Sequence, residues 1–467
     1  MSLLDFSCSR KKFKVEPGRL VLKYMSNVRK KKLIFGVIAV CAVMLVLGGL
    51  VYYKLCMDPY RGTVKNREYS KELDTLLGVE EALEDLEYMM ERFRNHHPAW
   101  LEEDNKSVEA VEKQYGEEVA TIKEAQGEIS VLALYQAASR IAAKMHDGHT
   151  YPYWRGEVVR YIHDFTQVNT LGKPIAIDGI PTEEILDAYK QVTAYELEFY
   201  VEEQFWSQVI INEYVLRLCG VDTTDGITMS FEEDGVTTEY HYDFVPIEEV
   251  KGFEYSEEEE PWVSYEIDKE NSVGIFTLTT CVNDEEYRKV LDDFFAEVFA
   301  ENIENVVVDL RYNGGGNSAV ANEFITYLNV EEYDSWDCGI RLGWYLHKSE
   351  NIVYNNKKKP QVFDGQVYVL TNIKTYSAAM DFAMLIADND LGIIVGEPSG
   401  NLPDSYGDML SFQMPNSKLM LCVSHKRWYR IDRSKSGQPI RPDYEVKSSE
   451  ALEKVYELIR EFIDRLG

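Results

Sequence analysis

The sequence predicts an α/β protein in which a helical subdomain precedes a larger α/β core, behind a single transmembrane helix. Three observations support this prediction. Residues 33–53 contain no charged side chain, and residues 73–95 carry apolar side chains at helical spacing. From Val273 onward, short β-branched runs alternate with helical patterns. Such alternation is typical of a largely parallel sheet covered by helices.

The charge-free run of residues 33–53 is long enough to cross the hydrocarbon core of a bilayer. Arg29–Lys32 precede it directly, and Tyr52–Tyr53 close it where aromatic residues meet the interface. The positive-inside rule predicts a cytoplasmic basic tail (1–32) and an extracytoplasmic remainder after Lys54 in the cell membrane. A cleaved signal peptide is the alternative, but the run is long and no small-residue cleavage site follows it.

The composition excludes several classes of protein. The chain carries a net charge of −31 although its first 32 residues are basic, so an acidic outer part would repel nucleic acid. The seven cysteines form no Cys-x-x-Cys pair, which argues against a zinc or redox motif. No Gly-Lys-Ser/Thr follows the glycine run, and no His-Glu-x-x-His is present. We therefore expect no cofactor and no metal, and no motif defines an oligomeric state.

Changes in composition divide the chain after the membrane helix into four parts. His96-His97-Pro98 stop the first long helix, and a solvated charged break at residues 257–261 marks the last boundary. The alternating pattern around Asp234-Gly235 predicts a hairpin over residues 227–246. The predicted parts are a stalk (54–72), an N-terminal helical subdomain (73–165), a middle region (166–262) and a core (263–467).

In the core, strands and helices alternate along the chain. Glycine-rich and Asn-containing turns separate the apolar runs, as expected for strands that enter and leave a buried sheet. The predicted strands are 274–278, 306–310, 367–371 and 393–395. The predicted helices are 284–300, 319–328, 377–387 and 449–463.

Two strand–turn–helix units in this core carry the residues that suggest chemistry. The first ends in Gly314–Gly316, whose N–H groups can face an anion, and the second opens a helix at Ser377. A helix N-terminus favours a developing negative charge, so Ala378 N–H and one glycine N–H are candidate oxyanion donors. Alone, Ser377 is more simply explained as a helix N-cap. The joint occurrence of both units is what indicates acyl transfer by a serine nucleophile.

Three motifs together resemble the S41 peptidase family, which comprises the tail-specific or C-terminal processing proteases and tricorn-core-like enzymes. They are Asp309–Gly316, Thr375–Ala379 and Val395–Glu397, with support from Asp147–Thr150 and Arg441–Asp443. The resemblance spans residues 78–463. It implies a core of the fold shared by ClpP and crotonase, serine-type endopeptidase activity, a peptide or protein substrate and no cofactor.

The resemblance also bears on the general base. One branch of the family uses a Lys in the turn after the Gly-Glu pair, where this sequence has Asn401. The tricorn-like branch takes a histidine from the N-terminal helical part, and His149 matches that position. A neutral imidazole suits proton abstraction from serine near neutral pH. His146 is the competing histidine, and a structural hydrogen-bonded role is the alternative for His149.

A third residue is expected to orient the imidazole. The tricorn-like enzymes place a Glu shortly before the closing Pro-Asp, where this chain has Ser436–Gln438. Asp432 is the predicted replacement, and Asp443 and Glu397 are alternatives that more naturally bind backbone in tight turns. The predicted site thus has Ser377, His149 and Asp432 as catalytic residues, with Gly315 and Ala378 as oxyanion donors.

These predictions define a membrane-anchored, extracytoplasmic serine peptidase that works through an acyl-enzyme. One alternative is a catalytically inactive S41-like receptor that binds peptide ends, which the missing Lys motivates. Another is an esterase or amidase acting on a cell-wall or small substrate. Many S41 enzymes carry a PDZ-like module where this chain has residues 171–246. The Ile177–Gly179 turn resembles part of one, so the middle region is predicted to be a cap or a degenerate PDZ-like module.

Overall fold

The computed structural model of the chain describes residues 17–125, 127–253 and 261–466. Part of the predicted basic tail (1–16) and the charged break at 257–260 lie outside the described residues. The α-helices are α1 Pro17–Tyr52, α2 Val79–His96, α3 Lys106–Glu124, α4 Val131–Ala143, α5 Phe165–Leu171, α6 Thr182–Val192, α7 Glu198–Gln204, α8 Glu213–Leu218, α9 Glu285–Ala300, α10 Ala319–Ile325, α11 Ala378–Asp388 and α12 Ala451–Leu466.

The strands are short in the N-terminal half and longer toward the C-terminus. They are β1 Leu76–Gly78, β2 Glu128–Ser130, β3 Tyr151–Tyr153, β4 Arg160–Ile162, β5 Ala176–Ile177, β6 Ile180–Pro181, β7 Ile227–Glu233, β8 Val236–Tyr242, β9 Phe244–Pro246, β10 Val263–Asp268, β11 Val273–Leu278, β12 Asn305–Asp309, β13 Glu332–Asp334, β14 Asp337–Leu342, β15 Tyr345–Ser349, β16 Val353–Asn355, β17 Gln366–Thr371, β18 Ile393–Gly396, β19 Tyr406–Gln413, β20 Met420–Tyr429 and β21 Tyr444–Glu445.

The described residues form two compact units, which divide between Arg61 and Gly62. In the first unit, α1 and the turn after it contain the apolar stretch Phe35–Met57. This stretch is long and apolar enough to cross a membrane, and no residue of its most apolar window is buried. A signal sequence near the N-terminus can satisfy the same criteria of length and composition. The stretch is therefore a candidate membrane span or signal sequence.

The second unit is built around a six-stranded sheet in the order β10-β11-β12-β17-β18-β21. β10 runs antiparallel to β11, and every later neighbour is parallel. Alternate residues of one strand enter two different cores: Val306 and Val308 pack among α9, α10 and α11, whereas Val307 packs against α12. Burial on both faces explains the continuous apolar runs of these strands. The prediction of a largely parallel sheet is confirmed.

The parallel register places the two turns of interest side by side. β12 pairs with β17 so that Val308 lies opposite Val369 and Asp309 opposite Leu370. Because both strands point the same way, the glycine turn after β12 and the serine turn after β17 leave the same edge of the sheet. This is the edge where the candidate site lies.

A second, antiparallel sheet was not predicted from the sequence. Its strands follow the order β15-β14-β20-β19, and β3 pairs with β20. Its apolar face shares one core with α2 and α4, since Phe412 and Leu421 of the sheet pack with Leu86 and Leu134 of the helices. The N-terminal helices are therefore packed on strands from the C-terminal half of the chain.

The middle region forms a third core. The helix α6 packs with a small sheet in the order β6-β5-β7-β8. β7 and β8 form the predicted hairpin, and both turn residues have positive φ, +52° at Asp234 and +78° at Gly235. Such a pair is typical of a tight two-residue hairpin turn.

Candidate active site

Ser377 stands at the turn between β17 and α11 in a backbone conformation that non-glycine residues rarely adopt, with φ +53° and ψ −124°. Such a conformation costs roughly 1–3 kcal/mol and persists only where the surroundings impose it. Its N–H donates to Asn401 Oδ1 at 2.8 Å, and its side chain makes no capping hydrogen bond to α11. Ser377 thus occupies the N-cap position of α11, but its side chain does not cap the helix.

The Ser377 hydroxyl faces an imidazole instead. Its Oγ lies 3.2 Å from Nε2 of His149, which follows α4 in the loop that leads into β3. His149 is buried, whereas His146 of the same loop is exposed and its ring lies near Tyr195. The structure thus brings the predicted residues Ser377 and His149 together and leaves the competing histidine outside the site.

The carboxylate nearest the far side of the imidazole is Asp147. Its Oδ1 accepts a hydrogen bond from the backbone N–H of His149 at 2.9 Å. The same oxygen lies 3.7 Å from the ring atom Nδ1 of His149. Its Oδ2 accepts hydrogen bonds from Thr150 Oγ1 at 2.6 Å, Ser424 Oγ at 2.7 Å and His97 Nε2 at 3.1 Å. Burial alone would raise the pKa of Asp147, but the His149 and His97 side chains hold it well below its ordinary value. Asp147 is a fixed anion.

His97 contributes to this arrangement from the end of α2. Its Nδ1 accepts the Ala99 N–H at 3.2 Å, so the hydrogen-bond pattern assigns the ring proton to Nε2, which donates to Asp147. In the sequence, the His-Pro pair indicates only the end of a helix. Residues 147–149 belong to one of the motifs that resemble the family, but nothing in the sequence identifies Asp147 as the partner of His149.

The structure does not bring Asp432 to this pair. Asp432 begins a short helical turn, where its Oδ1 accepts from Ser434 N–H at 3.0 Å and its Oδ2 pairs with Lys435 at 3.0 Å. Its carboxylate is thus taken up by its own turn, which corrects the prediction that it reaches the imidazole. Asp443 and Glu397 bind backbone N–H groups, as their tight-turn setting suggested.

Gly315 is also not available in the predicted role. Its N–H donates to Asn313 Oδ1 at 2.8 Å, so it is not free to hold an oxyanion. With φ at +99°, Gly315 packs directly behind the nucleophile, and a Cβ there would lie 2.7 Å from Ser377 Cβ. Gly314 and Ala378 line the cavity instead. Ala378 is the first residue of α11, where the N–H has no intrahelical acceptor.

The reactive pair opens into a cavity of about 650 Å³. Ser377 and His149 contribute to its wall, together with residues of α4, the middle region and the antiparallel sheet. Because these parts come from distant positions in the sequence, the cavity exists only in the folded second unit.

A further carboxylate, Glu196, reaches the site from the middle region between α6 and α7. Its Oε2 accepts the Leu402 N–H at 2.8 Å. Its Oε1 and His149 Nδ1 are both buried without a hydrogen-bond partner among the described residues. Burial raises the pKa of Glu196 to about 7, although the nearby imidazole opposes this. No local sequence signal marks Glu196, because it reaches the site through tertiary packing alone.

The carboxylates also act on His149. Burial alone would lower the pKa of His149, but Asp147, Glu196 and Asp381 together raise it above its ordinary value. One possible ligand atom from each of Asp147, His149 and Glu196 lies within 4.8 Å of the others, the one such cluster of three in the described residues. Since the Asp147 oxygens are already hydrogen-bonded and Nε2 faces Ser377, this geometry suits imidazole orientation better than metal binding.

A mixed α/β fold with a serine–histidine pair at a strand–helix turn is the arrangement of a serine hydrolase. The model of peptidase family S41 matches residues 272–446, which include both turns of the site. This match confirms the resemblance to the S41 family inferred from the motifs and supports a peptidase of the serine type.

Solved structures of CPAF share the fold. Mature CPAF is 13% identical, covers 83% of this chain and 98% of its own length, and has a TM-score of 0.58. Mature CPAF complexed with lactacystin is 12% identical, with coverages of 83% and 97% and a TM-score of 0.57. The photosystem II D1 C-terminal processing protease is 13% identical, with coverages of 81% and 97% and a TM-score of 0.45. At these identities the likeness to CPAF shows the fold.

Proposed function

We propose that this chain is a membrane-anchored serine endopeptidase in which Ser377 attacks a peptide carbonyl and His149 acts as general base and then general acid. The observation that carries the proposal is the 3.2 Å contact between Ser377 Oγ and His149 Nε2, at a turn that opens helix α11. A nucleophile within hydrogen-bond distance of a base that a third group orients is the pattern of covalent acyl transfer.

In the proposed mechanism, the neutral imidazole carries its proton on Nδ1, so Nε2 accepts the hydroxyl proton of Ser377. The Ser377 oxygen adds to the substrate carbonyl, and the resulting imidazolium then gives its proton to the leaving amine. Asp147 stabilises the imidazolium as a fixed anion 3.7 Å from Nδ1. Water repeats the same proton transfers to release the acyl group, so the step needs no cofactor.

The oxyanion is assigned to two backbone donors, the N–H groups of Ala378 and Gly314. Ala378 offers the free first N–H of α11, where the helix dipole favours negative charge. Gly314 lines the cavity, in contrast to Gly315. Preorganised donors of this kind contribute strongly because they need no reorganisation during the reaction.

Asn401 supports a histidine base over the lysine base used in the other branch of the family. It stands at the position matched to that lysine, and its buried side chain accepts the N–H of Ser377. An amide cannot take a proton from serine. We therefore assign Asn401 the role of holding the strained turn that presents Ser377.

Peptide hydrolysis by the full-length chain in detergent tests this proposal. Fragments of a peptide mixture are identified by mass spectrometry for the wild type, Ser377→Ala and His149→Ala, with the exposed His146→Ala as the matched control. We expect both site variants to lose roughly a thousandfold or more of the activity and the control to keep it. Cleavage that persists in Ser377→Ala would overturn the proposal. Turnover of acyl esters without peptide cleavage would favour an esterase, and peptide binding without turnover a receptor.

We also propose that α1 anchors the protein in the cell membrane with its N-terminus in the cytoplasm. The exposed apolar stretch and the basic residues directly before it support this orientation. Variants that keep only Cys8, or only a cysteine introduced beyond α1 by Lys65→Cys, can be treated with an impermeant maleimide. The cysteine at position 65 should react on intact cells and Cys8 only after permeabilisation. The opposite pattern would reverse the topology, and a mature chain lacking Cys8 would indicate a cleaved signal sequence.

A further inference from the structure

We infer that Asp381 makes the cavity selective for peptides that carry a Lys or Arg side chain beside the scissile bond. The inference rests on the proposed function, which it deepens by naming the class of substrate. Three independent observations support it: the position of Asp381 relative to Ser377, the absence of a partner for its carboxylate, and the charge of the cavity wall.

Asp381 lies in the first turn of α11 and lines the same cavity as Ser377 and His149. Its N–H donates to the Ser377 carbonyl at 2.9 Å, so the two residues are one helical turn apart. Residues at i and i+4 share one face of a helix and are separated by about 6 Å along its axis. A side chain next to a bond held at Ser377 Oγ is therefore within reach of the Asp381 carboxylate.

The Asp381 carboxylate makes no hydrogen bond and no ion pair with any other residue in the part of the chain that the structure describes. The other carboxylate of the cavity wall, Asp408, is paired with Lys426 at 2.6 Å. A half-buried carboxylate without a partner is costly to keep ionised. Burial raises the pKa of Asp381 to about 7, with Asp408 adding to the effect and His149 opposing it. A cation from a ligand would remove that cost.

The rest of the cavity wall suits the same ligand. The described residues that line it include no Lys or Arg, but they include eight tyrosines. Two of these, Tyr200 and Tyr376, stack with ring centroids 4.8 Å apart. Aromatic faces attract ammonium and guanidinium groups, and the net charge of −31 draws cationic peptides toward the chain. An acidic side chain in the first turn also interacts favourably with the helix dipole. That interaction does not depend on a cavity, so it does not explain why Asp381 lines one.

The test starts with a mixed peptide pool digested by the full-length protein, with the residues on both sides of each cleaved bond identified by mass spectrometry. One cleaved peptide is then synthesised with Lys or with uncharged norleucine at the position beside the scissile bond where Lys or Arg is enriched. The value of kcat/KM is measured for both peptides. For the wild type we expect a preference for Lys of at least tenfold. A Lys-to-norleucine ratio of kcat/KM near one in the wild type would overturn the inference by itself, whatever the variants show.

Three variants sharpen the result. Asp381→Asn should bring the Lys-to-norleucine ratio near one by lowering kcat/KM for the Lys peptide, while Asp381→Glu should restore part of the preference. The matched control Asp390→Asn removes an exposed acid just beyond the same helix and should keep the wild-type ratio. A ratio that Asp381→Asn leaves unchanged would also overturn the inference.

Labelling of Ser377 by a fluorophosphonate separates this inference from the proposed function. If labelling persists in Asp381→Asn but selectivity does not change, Ser377 is the nucleophile and Asp381 does not select the substrate. If the folded wild type neither labels nor cleaves any peptide, the proposed function fails, and the inference fails with it.

Discussion

Two of the three carboxylates that act on the His149 imidazole have pKa values shifted in opposite directions. Asp147, in the loop after α4, is fully buried and accepts four hydrogen bonds, and its pKa lies well below the ordinary value. Asp381, on α11, is half-buried and accepts none from the described residues, and its pKa is raised to about 7. The difference teaches that hydrogen-bond donors, more than burial, decide whether a carboxylate in this site stays ionised.

The two carboxylates also come from different parts of the second unit. Donors to Asp147 come from the end of α2 and from β20, through His97 and Ser424, and so depend on the antiparallel sheet that pairs β20 with β3. Asp381 belongs to the parallel core that carries Ser377. In the proposed mechanism Asp147 is the fixed anion that stabilises the protonated base. Asp381 has no partner among the described residues and is available to bind a cationic substrate side chain.

The largest expected effect comes from Asp147→Asn, which removes the fixed anion but keeps its size. Without that charge 3.7 Å from Nδ1 the imidazolium is not stabilised, so we expect kcat to fall by about a thousandfold to ten-thousandfold. Steady-state peptide hydrolysis checks this, with circular dichroism to verify folding. A folded variant that loses less than about tenfold would show that Asp147 does not support the base.

A smaller loss is expected when Ser377 is displaced from its position beside His149. In Gly315→Ala the new Cβ would lie 2.7 Å from Ser377 Cβ, so the nucleophile must shift. A displacement of about 1 Å lowers kcat by about a hundredfold. Gly116→Ala is the control, since a Cβ there meets nothing within 4 Å. Equal activity of the two variants would contradict the packing of Gly315 behind Ser377.

Glu196→Gln should change the pH dependence more than the maximal rate. His149 must be neutral to accept a proton, so kcat/KM falls as the pH drops through the pKa of His149. Removing the Glu196 carboxylate removes one cause of the raised pKa, so the acid limb should move to lower pH. Glu198→Gln removes an exposed acid of the same region and should leave the limb in place. A shift to higher pH in Glu196→Gln would contradict this electrostatic account.

The smallest effect is expected from Asp432→Asn. Its carboxylate is engaged by Ser434 and Lys435 in its own turn, so kcat should change by less than about twofold. The same hydrolysis assay checks this beside Asp147→Asn. A loss comparable to that of Asp147→Asn would return Asp432 to the site and would contradict the assignment of its carboxylate to its own turn.

The parallel core could be predicted because its signals are local. β12 and β17 are short apolar runs, each followed by a recognisable turn, and parallel pairing places those turns together. The engagement of Gly315 was also open to prediction from the sequence. Asn313 stands two residues earlier, and an Asn side chain commonly accepts a backbone N–H at that spacing.

The parts that were missed depend on contacts between distant segments. Ser424 reaches Asp147 through the pairing of β20 with β3, and Glu196 reaches the imidazole from the middle region. No periodicity or spacing in the sequence records such contacts. Asp432 was chosen because it lies close in sequence to the position of the family's Glu, but its own turn satisfies its carboxylate.

The most direct test of the central claim is covalent labelling of the full-length protein with a fluorophosphonate, followed by intact mass and peptide mapping. Attack by Ser377 Oγ on phosphorus with loss of fluoride should add one probe to the peptide that contains Ser377. The label should be absent in Ser377→Ala, strongly slowed in His149→Ala and unchanged in His146→Ala. A folded wild-type protein that stays unlabelled, or that carries the label on another residue, would contradict the assignment of Ser377 and His149.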